Sequence, residues 1–416
     1  MSEDVKKKPG RIPTLSMMKK MKSGTLEAED LESFPKNNRW AFNAGKTFAG
    51  NPKYLFIYIN KYRKDIDAYW LCDKEETVEY IRKLGYKAYT FVDREAHRLE
   101  TQTGVYVVEQ VKENIPERMA EVKYLNLYHG VGCKSIERRA HTGFLTERVA
   151  GKYIRYNQFY YDRQLFLVTS PLMEKHFIYQ CGLRNDRVIR GGYPRCMYQK
   201  YFEKVTTFNH DIRGRKGLEM DTRIAAYVPT FRDDAPQGFM SLAIPDMERL
   251  IQKLEEKNML MIFKMHPLIE EDYEYLKLKE KYQNHPRLLF WNNQEDFYEI
   301  FDDIEVGIID YSSIFYDMLA GGTKYFIRYF FAESSRDMVY DLEEMTCGKM
   351  CRNFDALLNA LGKRTEMPVG RPPFSLLPDR KSLPAPTLFW KLKYQKCQRY
   401  KAQAEVSAPV QIPAYD

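Results

Sequence analysis

Nowhere in the 416-residue chain do about 18 apolar residues run together, so no membrane-spanning helix is expected. The opening stretch, MSEDVKKKPGRIP, has no apolar core and does not read as a signal peptide. Cysteines are few and odd in number: seven, at 72, 133, 181, 196, 347, 351 and 397. Of these, Cys347 and Cys351 lie close together, and no second pair complements them. Reduced, packed thiols are therefore expected, with neither a disulfide framework nor a zinc site, and a cytosolic location. Walker loops and GxGxxG, HExxH and GxSxG elements are all missing. Those absences remove the familiar nucleotide, zincin and serine-hydrolase signatures.

What is present reads as globular. The chain is 44% hydrophobic and 14% aromatic, and its length predicts two domains, each able to bury a core. The net charge of +8 favours an anionic partner: phosphate, nucleotide, nucleic acid or a membrane surface. Basic residues concentrate at the ends, in the first 24 residues and in RKSLPAPTLFWKLKYQKCQRYK (380–401). The second stretch has no acidic residue and interleaves Phe389, Trp390 and Tyr394. It reads as a basic aromatic helix, either lying at a membrane interface or packed on the protein with a solvated face. No nucleic-acid-binding module accompanies these charges, and no nucleic-acid partner is expected.

Between the ends, continuous apolar runs alternate with helical patterns. Strands are predicted at 54–59, 68–71, 87–92, 104–108, 124–128 and 165–169, with helices at Lys74–Leu84, Glu109–Ala120, Cys133–Val149 and Pro171–Cys181. Polar residues 195–222 break the rhythm and mark a domain junction. Strands are then predicted at 224–229, 259–265, 287–291, 305–310 and 324–328. Helices accompany them at Asp246–Lys257, Glu271–Tyr282, Glu295–Phe301, Ser312–Ala320 and Phe354–Leu361. This is an α/β pattern of two doubly wound parallel-sheet halves.

Ligands of open α/β sheets bind beyond the carboxyl ends of the strands. Four polar groups are expected there: His129-Gly130, then Thr230 with Arg232 and Asp233, then His266-Pro267, then Asp310 with Ser312-Ser313. Together they predict a cleft to which both halves contribute. A histidine can accept a proton at neutral pH, although a lone one is more often structural. Gly130 and Gly132 would let a ligand approach the backbone, and Lys134 adds charge or is merely solvated. Ser312 and Ser313 open a helix, where phosphate binds free N–H groups, or else they cap it. Arg232 suits phosphate by its fork geometry but is equally a surface arginine. Asp317, one turn into the helix, would hold a ribose, a polyol or a neighbouring arginine. Gly191-Gly192 reads as a tight turn more readily than as a phosphate loop.

In order, YHGVG, GYPRC, VPTFRDD, KMHPL and IDYSSIFYDM resemble the motifs of the CDP-glycerol:poly(glycerophosphate) glycerophosphotransferases, over about Asn51 to Leu361. The resemblance implies a GT-B fold, two Rossmann-like domains facing a cleft. With the basic ends read as a segment 1–50 and a helical tail 376–416, it implies an acceptor-side domain 51–200 and a CDP-donor-binding domain 201–375. The implied reaction moves a polyol phosphate from CDP-glycerol or CDP-ribitol to a saccharide or lipid-linked polymer acceptor, in teichoic-acid-like or capsular synthesis. CMP would be released. His129 is then the general base on the acceptor, and His266 acts at the donor pyrophosphate. Arg232, Ser312, Ser313, Thr230 and Asp317 bind the donor, with Gly130, Lys134 and Asp310 in support. No tightly bound cofactor and no metal ligand is implied, and a divalent-metal requirement stays open. The implied location is the inner face of the cytoplasmic membrane, reached through the basic termini. Departures occur at Tyr128, where the family has tryptophan, at Val131-Gly132-Cys133, where it has Thr-Pro-Leu, and at Cys196, where Asp is common. Another lies in AGGTKYFIRYF (320–330), which stands where the family tends to L-x-K-P-I-x-x-Y. Two rivals remain: a GT-B glycosyltransferase using a sugar nucleotide, and a non-catalytic scaffold for membrane or polymer.

Overall fold

The structure, a computed structural model, describes residues 36–362 apart from 112–114, 120–121, 141–145, 231–237, 268, 335 and 342–344. Two parallel sheets follow one another. The first half runs β1 (Lys36–Phe42), α1 (Gly50–Tyr62), β2 (Asp67–Cys72), α2 (Glu75–Lys83), β3 (Ala88–Thr90), α3 (Arg94–Gln102), β4 (Thr103–Val108), β5 (Lys123–Asn126), α4 (Thr146–Arg163), β6 (Gln164–Val168), α5 (Pro171–Cys181) and β7 (Val188–Arg190). After α6 (Pro194–Tyr201) the second half runs β8 (Arg223–Tyr227), α7 (Phe239–Ala243), α8 (Met247–Glu256), β9 (Met259–Phe263), α9 (Tyr273–Tyr282), β10 (Leu288–Phe290), β11 (Val306–Ile309), α10 (Ile314–Gly321), β12 (Tyr325–Tyr329), β13 (Lys349–Cys351) and α11 (Phe354–Ala360).

The sheet orders are β3-β2-β1-β4-β5-β6-β7 and β10-β9-β8-β11-β12-β13. Each reverses direction once, between β1 and β4 and between β8 and β11, and every strand pairing is parallel. Strands such as β4 and β9 are buried along their whole length, as parallel sheets covered on both faces require. The two halves share one continuous apolar core: Phe42, Trp70 and Phe166 belong to the same packed cluster as Ile262, Trp291, Phe315 and Phe326.

Three expectations are corrected. The run at 54–59 is not a strand but the middle of α1, buried on nearly every side. A short apolar run cannot by itself separate a buried helix from a buried strand, and Pro52 in the first turn favours the helix. The true first strand, KNNRWAF, lies inside the segment assigned to the basic N-terminus. Second, among the described residues of the helix expected over Glu109–Ala120 there is only a 3-10 turn, Glu117–Met119, just after Pro116. Third, Cys133–Val149 is not helical from its start. Lys134 forms an isolated antiparallel bridge with Met338, Glu137–Arg139 make a 3-10 turn, and the helix begins at Thr146. The expected basic tail and residues 1–35 lie outside the described residues. No helix among those described is long and apolar enough to cross a membrane.

Candidate active site

His129 lies just beyond β5, one strand over from the switch point of the first sheet. The strand stops at Asn126, whose Oδ1 accepts the Tyr128 N–H at 2.9 Å. Tyr128 then takes φ +51, a strained left-handed conformation for a bulky residue. Asn51, in the first turn of α1, fixes the turn by donating to the Tyr128 carbonyl at 2.6 Å. The Tyr128 ring packs on Phe166 and Phe177. His129 is thereby pushed out to an exposed position.

Its ring is oriented by the next strand. Nδ1 lies 2.9 Å from the backbone carbonyl of Glu109, directly after β4. A carbonyl can only accept, so Nδ1 carries the proton and Nε2 keeps its lone pair. One edge of the ring opens to solvent, yet the protein packed around the rest of it excludes enough water to push the imidazole down to about 4. The Glu109 carbonyl opposes that shift, and the charges of Arg195, Lys152 and Arg336 add to it. His129 is therefore neutral at physiological pH.

The second half brings its helix N-terminus to the same place. A cleft of about 160 Å³ is lined by His129, Gly130 and Lys134 from one half and by Ser312, Ser313 and Arg328 from the other. Gly130 is required by that approach: a Cβ there would collide with the Ser313 side chain. Ser313 precedes α10, yet its side chain makes no capping bond, and neither serine hydroxyl has a partner among the described residues. The capping alternative thus gives way to hydroxyls available to a ligand. Thr230 and Asp310 follow β8 and β11, at the switch point of the second sheet. The Thr230 N–H donates to Asp310 Oδ1 at 2.8 Å, and Lys134 Nζ reaches Thr230 Oγ1 at 3.4 Å.

Not every expected residue joins them. Asp317 is buried and does not line the cleft. It accepts from Arg195 at 2.5 Å and from the Tyr298 hydroxyl at 2.9 Å. The neighbouring arginine, one of the alternatives open in the sequence, is its partner. His266 is exposed beyond β9, one strand over from Thr230, and does not line the cleft. Arg232 lies outside the described residues. Gly192 is a packing turn, its Cα facing Met197.

Two arginines were missed. Arg195, in the GYPRC motif at the start of α6, is fully enclosed and spans the halves. Its Nη2 donates to the His129 carbonyl at 2.7 Å as well as to Asp317, and its guanidinium lies 4.3 Å from the Tyr298 ring centroid. Its position after a proline at the first turn of a helix was the available signal. Arg328 sits inside a strand, KYFIR, where an apolar run hides it.

A family model, CDP-Glycerol:Poly(glycerophosphate) glycerophosphotransferase, matches residues 30–368. The chain belongs to that family. It is an enzyme of the glycerophosphotransferase type. A teichoic acid poly(glycerol phosphate) polymerase of Bacillus spizizenii is 23% identical over 77% of this chain and 81% of its own length. A teichoic acid glycerol-phosphate transferase of Staphylococcus aureus is 23% identical over 80% of this chain and 85% of its own. Among solved structures, a variant of the wall teichoic acid polymerase TagF superposes with a TM-score of 0.63, at 20% identity, over 84% of this chain and 87% of that one. The likeness confirms the two-domain GT-B architecture. No cluster of His, Cys, Asp and Glu able to hold a metal ion occurs among the described residues.

Proposed function

We propose that the enzyme transfers a polyol phosphate, glycerol phosphate or ribitol phosphate, from its CDP-activated form to a hydroxyl of a saccharide or lipid-linked polymer. The observation that carries this is the pairing, across one cleft, of a tautomer-fixed neutral histidine with a serine-rich helix N-terminus. A base faces a phosphate-binding end.

In the reaction, the acceptor oxygen attacks the phosphorus that bears the polyol. Its proton passes to His129 Nε2. The bridging anhydride P–O bond breaks, and CMP leaves with the electron pair. The hydroxyls of Ser312 and Ser313, the N–H groups opening α10 and Lys134 hold the phosphoryl oxygens as charge builds on them. The cytidylyl end extends along the strand ends of β8 and β9, toward His266. The basic termini bring the enzyme to the inner face of the membrane, where a lipid-linked acceptor resides.

The test is a panel of CDP-glycerol, CDP-ribitol and sugar nucleotides, scored for CMP release and for the bond formed in the product. A phosphodiester with stoichiometric CMP supports the proposal. A glycosidic bond, or no turnover with either CDP-polyol and a polymer acceptor, overturns it.

A further inference from the structure

We propose that Arg328 is a phosphate-binding residue of the cleft, a guanidinium held with two of its nitrogens, Nε and Nη1, without an acceptor among the described residues and open to an anionic phosphoryl oxygen of the substrate. The identity of that anion rests on the proposed transfer reaction; the vacancy does not.

Arg328 is 2% exposed, in β12, and it lines the cleft beside Ser312, Ser313 and His129. Its aliphatic stem and guanidinium are clamped. The charged group lies 4.7 Å from the Phe315 ring centroid and 5.4 Å from that of Phe330, and Nη2 donates to the Asp310 carbonyl. Nε and Nη1 meet no acceptor among the described residues. No carboxylate lines the cleft among the described residues, whereas Lys134 and Arg336 do. A buried charged donor without an acceptor is costly, and groups of this kind are exceptional in folded proteins. The fork geometry suits two oxygens of one phosphoryl group, and the clamp means little side-chain freedom is lost when they arrive. A phosphoryl group with at least one full negative charge fits the positive cleft.

Calorimetry of wild type, Arg328→Met and Arg328→Lys with CDP, inorganic pyrophosphate and cytidine tests this. One or two charge-assisted hydrogen bonds correspond to a loss of roughly 10- to 100-fold in affinity. Arg328→Met should lose that much for CDP and pyrophosphate and nothing for cytidine, with Arg328→Lys in between. Thermal melts accompany each titration. A purely structural arginine predicts a lower melting temperature with unchanged affinity of the folded protein, and that result overturns the inference. So does a wild type that binds neither anion. Binding of pyrophosphate but not CDP, lost in Arg328→Met, sustains the inference while removing the cytidylyl donor.

Discussion

Replacing Arg195 by methionine should separate the two tasks this side chain performs. Arg195 and Asp317 are 4% and 3% exposed, and their ion pair closes at 2.5 Å. Removing the cation strands a buried carboxylate, which typically costs ~3–5 kcal/mol. Asp317 can reduce that cost by taking up a proton. Burial already pushes its carboxyl up, and Arg195 is the foremost influence pulling it down. In Arg195→Met the carboxyl rises further. A group whose folded pKa lies above its unfolded value near ~3.9 binds more protons when folded. Its contribution is intact below the unfolded value and is lost as pH rises through the folded one. The deficit of Arg195→Met against wild type should therefore be smallest near pH 4 and grow toward neutrality.

Urea unfolding at several pH values, for wild type, Arg195→Met, Asp317→Asn and the double variant, reads this directly. The double variant has no carboxylate to strand, so at pH 7 it should be more stable than Arg195→Met, and its own stability should lack the loss toward neutral pH that Arg195→Met shows. Turnover should stay low in it, because the His129 carbonyl has lost its donor. A pH-independent deficit, or single effects that add to within about 0.5 kcal/mol, would refute the coupling.

His129→Gln should cut turnover by at least ~10²–10⁴-fold while leaving CDP-glycerol affinity intact; unimpaired turnover would remove the base. Because the neutral imidazole is the active form, kcat/KM of wild type should fall only below pH about 4, whereas an acid limb at 6.5 or higher would contradict the desolvated site. Gly130→Ala should abolish activity, since the new methyl meets Ser313, and Gly151→Ala, with nothing near its Cβ, should be silent in the same assay. Lys53 is fully buried and pairs across the halves with Glu299 and, at 2.9 Å, with Asp296. Lys53→Met should cost ~3–5 kcal/mol in urea unfolding, and an effect under about 1 kcal/mol would show that pair to be dispensable.

The alternation of apolar runs predicts both sheets because parallel strands buried on two faces must be apolar throughout. That same property misplaces α1, which is buried nearly as completely as a strand. The strand-end rule finds His129, Thr230, Asp310, Ser312 and Ser313, since it concerns backbone direction, which local pattern reveals. It cannot say which strand ends meet. His266 stands at one such end outside the cleft lining, as do Thr230 and Asp310, which reach the cleft through Lys134 and Arg328. Asp317 illustrates a further limit: its partner Arg195 is 122 positions away in sequence, and pairing at that range is settled by helix packing, not by spacing. Arg328 was hidden by its own neighbours, an arginine in an apolar strand whose burial only the folded second sheet exposes.

The base and the phosphate-binding end belong to different halves, so the reaction depends on how firmly those halves are joined. Inter-domain contacts in one chain are commonly polar and mobile. Here they are not. The apolar core is continuous between the sheets, and Glu299 gathers Lys53, the Thr207 N–H at 2.8 Å and His210 at 2.7 Å beneath it. Gly130 and Ser313 approach too closely for a methyl group. The resulting space of about 160 Å³ is smaller than the ~300–1,000 Å³ of a pocket that encloses a whole ligand. It admits the reacting phosphoryl group with its immediate neighbours, not an entire CDP-polyol.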